Sequence, residues 1–473
     1  MMIKRVVLRA ITLSIIFCLV APMSFSDAKS KKVTVVHKTV TIKNSAPKKK
    51  VPTLNITKKW YRPRSRPTKY QAQRLTGKNA NYSGREIVAE KGTQYYLRRY
   101  GFLIDGASRG GYHHIRFIGR HAEPQGVAIV HGKLYIQMTY KHTKKYLRKH
   151  RGAQNRRKGR IIKYNLSMLN SIVNKGGKHN KIVLALQKSK KYLYTMHNKK
   201  STRNKRKKLA KKHLSATNYK IYSAVTFGPM YQAGHGQSFA YNAKKKSLYN
   251  ASYRLASDHD SRSRHPFSLQ KISLSKLRPV KVWRLNIRML RYEYNGGNVK
   301  AYRYLQMHDL TFDGSNKFYF TQMYGGKQRP KNRMKMYTKR VNGKKFIPDQ
   351  NFYRGFNKSV GKSAYIYKGY LTGKSAHIKL IQKVSNSLGS VSQGLSYGKT
   401  KEGSRIFIVY DNAYMSFPIK KLGHKISQKQ VNFTVLSSKF HRESEGMGIT
   451  AQGHGYLIMN RIAEAARTNR TVN

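Results

Sequence analysis

Five polar residues open the same short pattern, and they are the side chains of this chain best placed to do chemistry together. Each is followed by alternating small and apolar residues, then by a turn and a second apolar run. The five are Gln125, Gln237, His308, Gln393 and Glu445. Around one axis, they would form a polar ring that holds a sugar, an ion or another small polar ligand. The alternative is a hydrated channel whose polar groups satisfy one another.

The ring contains few side chains that commonly bind metal ions. It offers one imidazole and one carboxylate among three amides, whereas protein metal sites draw on several carboxylates, imidazoles or thiolates. A second candidate cation site is the loop Asp258-His259-Asp260 with His265, but its spacing matches no standard motif. We therefore expect no metal and no other cofactor.

A hydrolase at the same axis would need carboxylates there, because glycoside hydrolysis uses a pair of them. The chain has only 16 acidic residues. The candidates are Glu123, Asp309, Glu443 and Glu445. Glu443 and Glu445 are two positions apart and so share a strand face, but only Glu445 holds the repeat position. We assign no catalytic residue, and hydrolysis of wall polysaccharide at the axis is the alternative function.

Two Gly-His-Gly stretches, at 234–236 and 453–455, do not form a common site. The first precedes its strand and the second lies in a turn, so we expect their glycines to serve backbone geometry. The sequence contains no nucleophile elbow, phosphate loop or zinc spacing.

The elements that must position the ring are β-hairpins. In residues 233–252, Gln237 is followed by small and apolar residues in alternation up to Tyr241, and a polar turn leads to Leu248 and Tyr249. This hairpin pattern occurs at all five ring positions. Since a lone hairpin cannot bury its apolar face, the units must stack against one another.

Four of the hairpins are followed by a third strand-like run, at residues 161–166, 267–274, 364–370 and 414–419. Repeated units of three or four strands predict an all-β fold, a β-propeller with five blades. The last repeat has no such run behind it, so we expect an upstream segment, residues 112–118, to supply its outer strand and close the ring. Closure removes open sheet edges.

The remaining chain divides by composition. Residues 1–26 have a basic start, an apolar run over 10–20 and a small-residue exit, which is typical of a secretory signal and too short for a membrane anchor. Residues 27–95 form a basic arm with Lys and Pro that we expect to be mostly disordered. The propeller then covers 96–473, with basic insertions at about 141–160 and 186–215.

The single cysteine, Cys18, lies in the signal, so the mature chain has no disulfide. A large extracellular protein without disulfides fits a bacterium better than an animal. We therefore expect a secreted, cell-wall-associated protein with no transmembrane span after signal cleavage.

The net charge of the chain indicates which class of molecule it binds. The chain has 98 basic and 16 acidic residues, a net charge of +82, so it must attract polyanions. At a Gram-positive surface these are anionic cell-wall polymers such as teichoic acid, or the surface layer. Non-specific nucleic-acid binding in vitro is expected of any protein this basic.

The densest basic run is the candidate polyanion-binding segment. Residues 204–214 could form one exposed basic helix; a solvated loop is the alternative. The candidate binding residues are Arg203, Lys205, Arg206, Lys207, Lys208, Lys211 and Lys212.

The signal, the cysteine-free mature chain, the basicity and the repeated hairpins together resemble the helveticin J-like proteins of lactic acid bacteria. The closest motifs are Gly234-His-Gly-Gln-Ser238 and Pro124-Gln-Gly-Val127. The resemblance covers about residues 110–460. That family comprises class III bacteriocins and related surface-associated proteins. It implies a five-bladed propeller, secretion, and either killing of related bacteria or residence on the cell wall or surface layer. It supplies no catalytic residues.

Overall fold

A computed structural model describes most of the regular elements of the chain. It describes residues 34–42, 51–56, 68–69, 87–92, 121–141, 158–174, 192, 200–252, 267–292, 300–305, 307–324, 339–341, 344–346, 363–372, 376–385, 392–400, 402–410, 413–438, 442–453 and 455–461. All of these except Thr34 belong to one compact unit, Val35–Asn473. The signal, the predicted outer strand at 112–118, the loop at 258–265 and residues 142–157 of the first insertion lie outside the described residues.

The described residues form 26 strands. They are β1 (Thr34–Ile42), β2 (Thr53–Asn55), β3 (Thr68–Lys69), β4 (Ile87–Gly92), β5 (His121–Val130), β6 (Lys133–Lys141), β7 (Lys158–Asn165), β8 (Val225–Phe227), β9 (Tyr231–Gln232), β10 (Phe239–Asn242), β11 (Ser247–Ser252), β12 (Phe267–Ile272), β13 (Pro279–Tyr292), β14 (Lys300–Leu305), β15 (Thr311–Phe312), β16 (Phe318–Tyr324), β17 (Lys339–Val341), β18 (Lys344–Phe346), β19 (Ser363–Leu371), β20 (Ala376–Ser385), β21 (Ser392–Thr400), β22 (Gly403–Tyr410), β23 (Ala413–Pro418), β24 (Asn432–Ser438), β25 (Arg442–Ile449) and β26 (Gly455–Arg461).

Between β7 and β8, the described residues include the α-helices α1 (Leu166–Asn174), α2 (Lys200–His213) and α3 (Ala216–Ser223). Two 3₁₀ turns, Ile419–Lys421 and Gln428–Gln430, follow β23. The side chain of Ser215 caps α3 by accepting a hydrogen bond from the backbone N–H of Asn218. No helix in the described part of the chain combines the length and apolar character needed to cross a membrane.

Four large sheets form a β-propeller-like arrangement of four blades. Blade 1 has the order β5-β6-β7-β8, with β9 also on β7, and blade 2 the order β10-β11-β12-β13-β1, with β14 also on β13. Blade 3 has the order β15-β16-β19-β20-β2, and blade 4 the order β21-β22-β23-β24-β4-β3. The β25–β26 hairpin and the β17–β18 hairpin are separate two-stranded sheets. The prediction of an all-β fold is confirmed.

The five predicted hairpins are all present. β5 pairs with β6, β10 with β11, β15 with β16, β21 with β22, and β25 with β26, each antiparallel. The predicted third runs are also strands, namely β7, β12, β19 and β23. Local alternation of small and apolar residues was therefore sufficient to locate these strands.

The first strands of these hairpins are neighbours in a cycle. β5 contacts β10, β10 contacts β15, β15 contacts β21, β21 contacts β25, and β25 contacts β5. Gly126 shows how tight one of these contacts is, because a Cβ at this position would stand 2.4 Å from the Cβ of Phe239. Only glycine allows β5 and the start of β10 to approach this closely.

The apolar core lies between neighbouring sheets. Burial of each large side chain there contributes about 1.5–3 kcal/mol. Its members include Val127, Ile136 and Ile458 between blade 1 and the β25–β26 hairpin; Tyr135, Phe239 and Leu248 between blades 1 and 2; Leu269, Phe312 and Tyr367 between blades 2 and 3; and Ile366, Leu395 and Phe417 between blades 3 and 4.

Four strands lie within residues 27–95, the segment expected to be a mostly disordered arm. β1 joins blade 2, β2 pairs in parallel with β20 of blade 3, and β3 and β4 extend blade 4. Leu54 and Ile56 are 1% and 2% exposed. The outer edges of the blades offer unpaired N–H and C=O groups, which take up short strands that alone would be too polar to fold.

Candidate functional site

Three of the five predicted ring residues occupy β-bulges at the same place in their hairpins. Gln125, Gln393 and Glu445 are the extra residues. The pairing register shifts between Pro124 and Gly126, between Ser392 and Gly394, and between Ser444 and Gly446. A bulge turns its side chain away from the regular alternation of the strand. The repeated bulge therefore explains how one polar residue in each of these three hairpins is directed out of the pleat.

The other two ring residues lie just before their strands. Gln237 precedes β10, and its carbonyl accepts a 2.9 Å hydrogen bond from the N–H of Phe239. His308 precedes β15, and its ring lies edge-on to that of His235, with 6.0 Å between ring centroids. The first strands of blades 2 and 3 begin later than those of the other hairpins, so no bulge is needed there.

The ring residues are buried and bonded across the structure. Gln125, Gln237, Gln393 and Glu445 are 2%, 4%, 4% and 2% exposed, while His308 is partly exposed. The Nε2 of Gln237 donates to Oε1 of Gln393 and, at 3.3 Å, to Oε2 of Glu445. Side chains from blade 2, blade 4 and the β25–β26 hairpin thus meet in one cluster.

Gln125 differs from the other buried ring residues. Its Oε1 has no hydrogen-bond donor among the described residues, and the same holds for Oγ1 of Thr139. Gly236, at φ +92°, passes between them, since a Cβ there would lie 3.3 Å from Gln125 Cβ and 2.7 Å from Thr139 Cγ2. A buried acceptor without a donor costs about 1–3 kcal/mol. A water or a ligand hydroxyl at this position would remove that cost.

The cluster therefore carries features of both interpretations of the ring. Gln237 donates hydrogen bonds to Gln393 and Glu445, as in a channel lining, whereas the buried oxygen of Gln125 has no donor among the described residues. Within the described residues, no group of three or more His, Cys, Asp or Glu side chains is arranged to hold a metal ion.

Asp309 has a structural role that the sequence analysis missed. It is fully buried, and its carboxylate accepts hydrogen bonds from the Thr321 N–H at 2.5 Å, from Thr321 Oγ1 and from Ser392 Oγ. Burial raises the pKa of this carboxyl above its ordinary value, and the hydrogen bonds from Ser392 and Thr321 oppose the shift. Asp309 links β16 to β21, and so ties blade 3 to blade 4.

This arrangement weakens the case for Asp309 as one of a catalytic pair, because its oxygens are occupied by protein donors. Glu123 and Glu443 lie on β5 and β25. A sequence signal for the role of Asp309 did exist. The residue after each ring position is small at Gly126, Ser238, Gly394 and Gly446, and Asp309 is the exception.

The predicted basic helix is present as α2, Lys200–His213, close to the predicted range of 204–214. Arg203 lies within it and Arg206 is partly exposed. The exposed basic side chains of the helix are Lys205, Lys207, Lys208, Lys211 and Lys212. Ala210 is fully buried, and α2 contacts α3. No described carboxylate forms an ion pair with these five lysines.

Neither a protein-family model nor a curated protein sequence matches this chain. The functional inference therefore depends on the chain's own residues, charge and geometry.

Proposed function

We propose that this chain is a secreted, strongly cationic β-propeller protein that binds anionic cell-wall polymers such as teichoic acid. The observation that carries the proposal is the exposed row of five lysines on α2 in a chain with 98 basic and 16 acidic residues. A surface with this charge repels itself and attracts polyanions.

The spacing on α2 makes the argument specific. Lys207 and Lys211, and likewise Lys208 and Lys212, are four positions apart and therefore neighbours on the helix surface. Like charges at this spacing destabilise a helix by about 0.2–0.5 kcal/mol per pair. A bound polyanion removes this repulsion, so polymer binding and helix stability should increase together.

The proposal includes a fifth blade whose inner strands are β25 and β26. Two observations support it. β25 contacts both β21 and β5, so it stands between blade 4 and blade 1. Glu445 also occupies the same bulge position as Gln125 and Gln393. An experimental structure of the mature protein tests this, and a third strand on β26 is the expected result.

The resemblance to helveticin J-like proteins adds two biological outcomes to the proposal. One is killing of related bacteria, and the other is residence on the cell wall or surface layer. Both outcomes need secretion and attachment to the wall. The basic surface favours the attachment.

The deciding experiment is incubation of the purified mature protein with Gram-positive cell walls, before and after chemical removal of their teichoic acid. We expect binding at low salt that is lost in roughly molar salt, where the Debye length falls to about 3 Å. Walls without the anionic polymer should bind little. Retention in high salt, or equal binding to stripped walls, would contradict the proposal.

The second candidate function is hydrolysis of wall polysaccharide at the axis. It is favoured by the carboxylate of Glu445, which is buried in the ring, and by the oxygen of Gln125, which has no described donor. The test is analysis of the supernatant for released sugars or muropeptides. Release by the wild type that is abolished in Glu445→Gln, with binding retained, would establish hydrolysis. Binding without release favours the first proposal.

A further inference from the structure

One face of blade 3 combines like charges and aromatic rings in directly opposed pairs. In the pairing of β19 with β20, Lys368 is opposite Lys379, and Tyr370 is opposite His377. Lys368 and Tyr370 are two positions apart, so both pairs lie on the same face of the sheet. We call these four residues, together with Lys317, the blade 3 patch.

The aromatic half of the patch faces solvent. Tyr370 is 45% exposed, one of the few large side chains of the described core sheets with so much exposure. Its ring stacks on His377, with 4.5 Å between centroids and 12° between planes. An exposed, flat aromatic surface of this kind is suited to packing against the apolar face of a sugar ring.

The cationic half consists of three lysines. Lys317 and Lys379 are exposed and Lys368 is partly buried. Burial lowers the pKa of Lys368, and the nearby charges of Lys317 and Lys379 lower it further, while the charge of Asp313 raises it. Its Nζ lies 5.7 Å from the centre of the Tyr319 ring.

This arrangement destabilises the sheet. Like charges directly opposite each other on neighbouring strands are unfavourable, and no described carboxylate forms an ion pair with any of the three lysines. The carboxylate of Asp313 is itself engaged, since its Oδ2 accepts a 3.0 Å hydrogen bond from the hydroxyl of Tyr319. An anion placed between Lys368 and Lys379 would offset the repulsion.

We propose that the blade 3 patch binds a sugar phosphate unit of an anionic wall glycan. The phosphate lies between Lys368 and Lys379, and the sugar packs against Tyr370 and His377. The two cross-strand pairs are two residues apart along the strand, about 7 Å, a separation that one hexose with its phosphate ester spans. This inference rests on the proposed function, because it names the polymer unit that the protein recognises.

The test uses calorimetric titration of the purified mature protein at low salt with three probes: glucose 1-phosphate, glucose and inorganic phosphate. We expect glucose 1-phosphate to bind several-fold more tightly than either of the others. Tyr370→Ala should bind glucose 1-phosphate no more tightly than inorganic phosphate, whereas Tyr370→Phe should still prefer glucose 1-phosphate. Lys379→Gln should weaken both phosphate-bearing probes several-fold.

The matched control is Lys245→Gln, which removes the same charge from the exposed turn between β10 and β11. It should leave the binding of all three probes unchanged. Thermal unfolding verifies that each variant folds, and Lys379→Gln tests the patch if the alanine variant does not fold. Equal affinity of the wild type for glucose 1-phosphate and inorganic phosphate, or equal losses in Lys245→Gln and Lys379→Gln, would overturn the inference.

Wall binding by the same variants separates this inference from the proposed function. If the wild type binds walls but the patch variants bind every probe as the control does, the inference about the patch is wrong and the proposed function stands. If the wild type fails to bind walls but prefers glucose 1-phosphate in the way described, the proposed function is wrong and the patch stands as a sugar phosphate site.

Discussion

The side-chain amide of Gln237 donates a hydrogen bond to Oε1 of Gln393, which joins blade 2 to blade 4 across the molecule. The inner strands that carry the two residues, β10 and β21, are not neighbours in the cycle, since β15 lies between them. The same amide also reaches Glu445 of the β25–β26 hairpin. Gln237 is therefore the residue on which the polar cluster depends.

Replacement of Gln237 by Leu should destabilise the protein. It removes one donor from each of Gln393 and Glu445, and loss of a hydrogen bond to a buried polar group costs about 1–3 kcal/mol, more when the group is charged. Urea unfolding should show this loss. The control is Gln428→Ala at an exposed position, which should change stability little. Equal effects of the two substitutions would mean that the cluster does not contribute to stability.

Asp309 should make stability depend on pH in a defined direction. Burial raises the pKa of its carboxyl in the folded state. Between the ordinary pKa, about 3.9, and the raised one, the folded state therefore binds a proton that the unfolded state does not. The contribution of this group to stability is fully present below the ordinary pKa and is lost as the pH rises through the folded pKa.

The variant Asp309→Asn tests this, because an amide keeps an acceptor for the Thr321 N–H and donates to the hydroxyls of Thr321 and Ser392. The wild type should gain stability relative to Asp309→Asn as the pH falls from 7 to about 4. Urea unfolding at both pH values measures the difference. A difference in unfolding free energy between wild type and Asp309→Asn that is independent of pH would contradict the prediction. Asp309→Ala should lose stability at both pH values, since it leaves buried donors without an acceptor.

Local sequence patterns predicted more of this fold than of its long-range contacts. The hairpin strands follow from alternation around Gln237 and its equivalents, and the ring residues from their repeated position. The edge strand at Leu54 could not be predicted, because it is only three residues long, follows the Lys- and Pro-rich run at 47–52, and pairs with β20 far along the chain. The hydrogen bond from Ser392 to Asp309 could not be predicted from the sequence either, because it depends on which blades are neighbours in space.

The basic helix offers a test of charge placement. Replacing Lys205, Lys207, Lys208, Lys211 and Lys212 by Gln removes five charges from α2, and replacing the exposed Lys244, Lys245, Lys276, Lys425 and Lys429 by Gln removes five charges elsewhere. The α2 variant should bind teichoic acid more weakly than the control variant and should depend less on salt. The measurement is affinity at several salt concentrations.

Equal losses in the two five-lysine variants would mean that the charge acts as a whole and α2 has no special role. Helix content provides a separate check, since removal of the like-charge pairs should stabilise α2 by about 0.2–0.5 kcal/mol per pair. Far-ultraviolet circular dichroism during thermal unfolding would report it.

The contact between β5 and the start of β10 predicts the effect of a single methyl group. In Gly126→Ala the new Cβ would stand 2.4 Å from the Cβ of Phe239 and 2.5 Å from the carbonyl oxygen of Gly236. Both atoms are fixed in packed elements, so the strands must separate, and overpacking of this kind costs about 1–3 kcal/mol. Gly314→Ala is the matched control, because nothing lies within 4 Å of a Cβ there. Thermal unfolding should show a lower midpoint for Gly126→Ala alone. A normal midpoint for that variant would mean that blades 1 and 2 are packed less tightly than the structure requires.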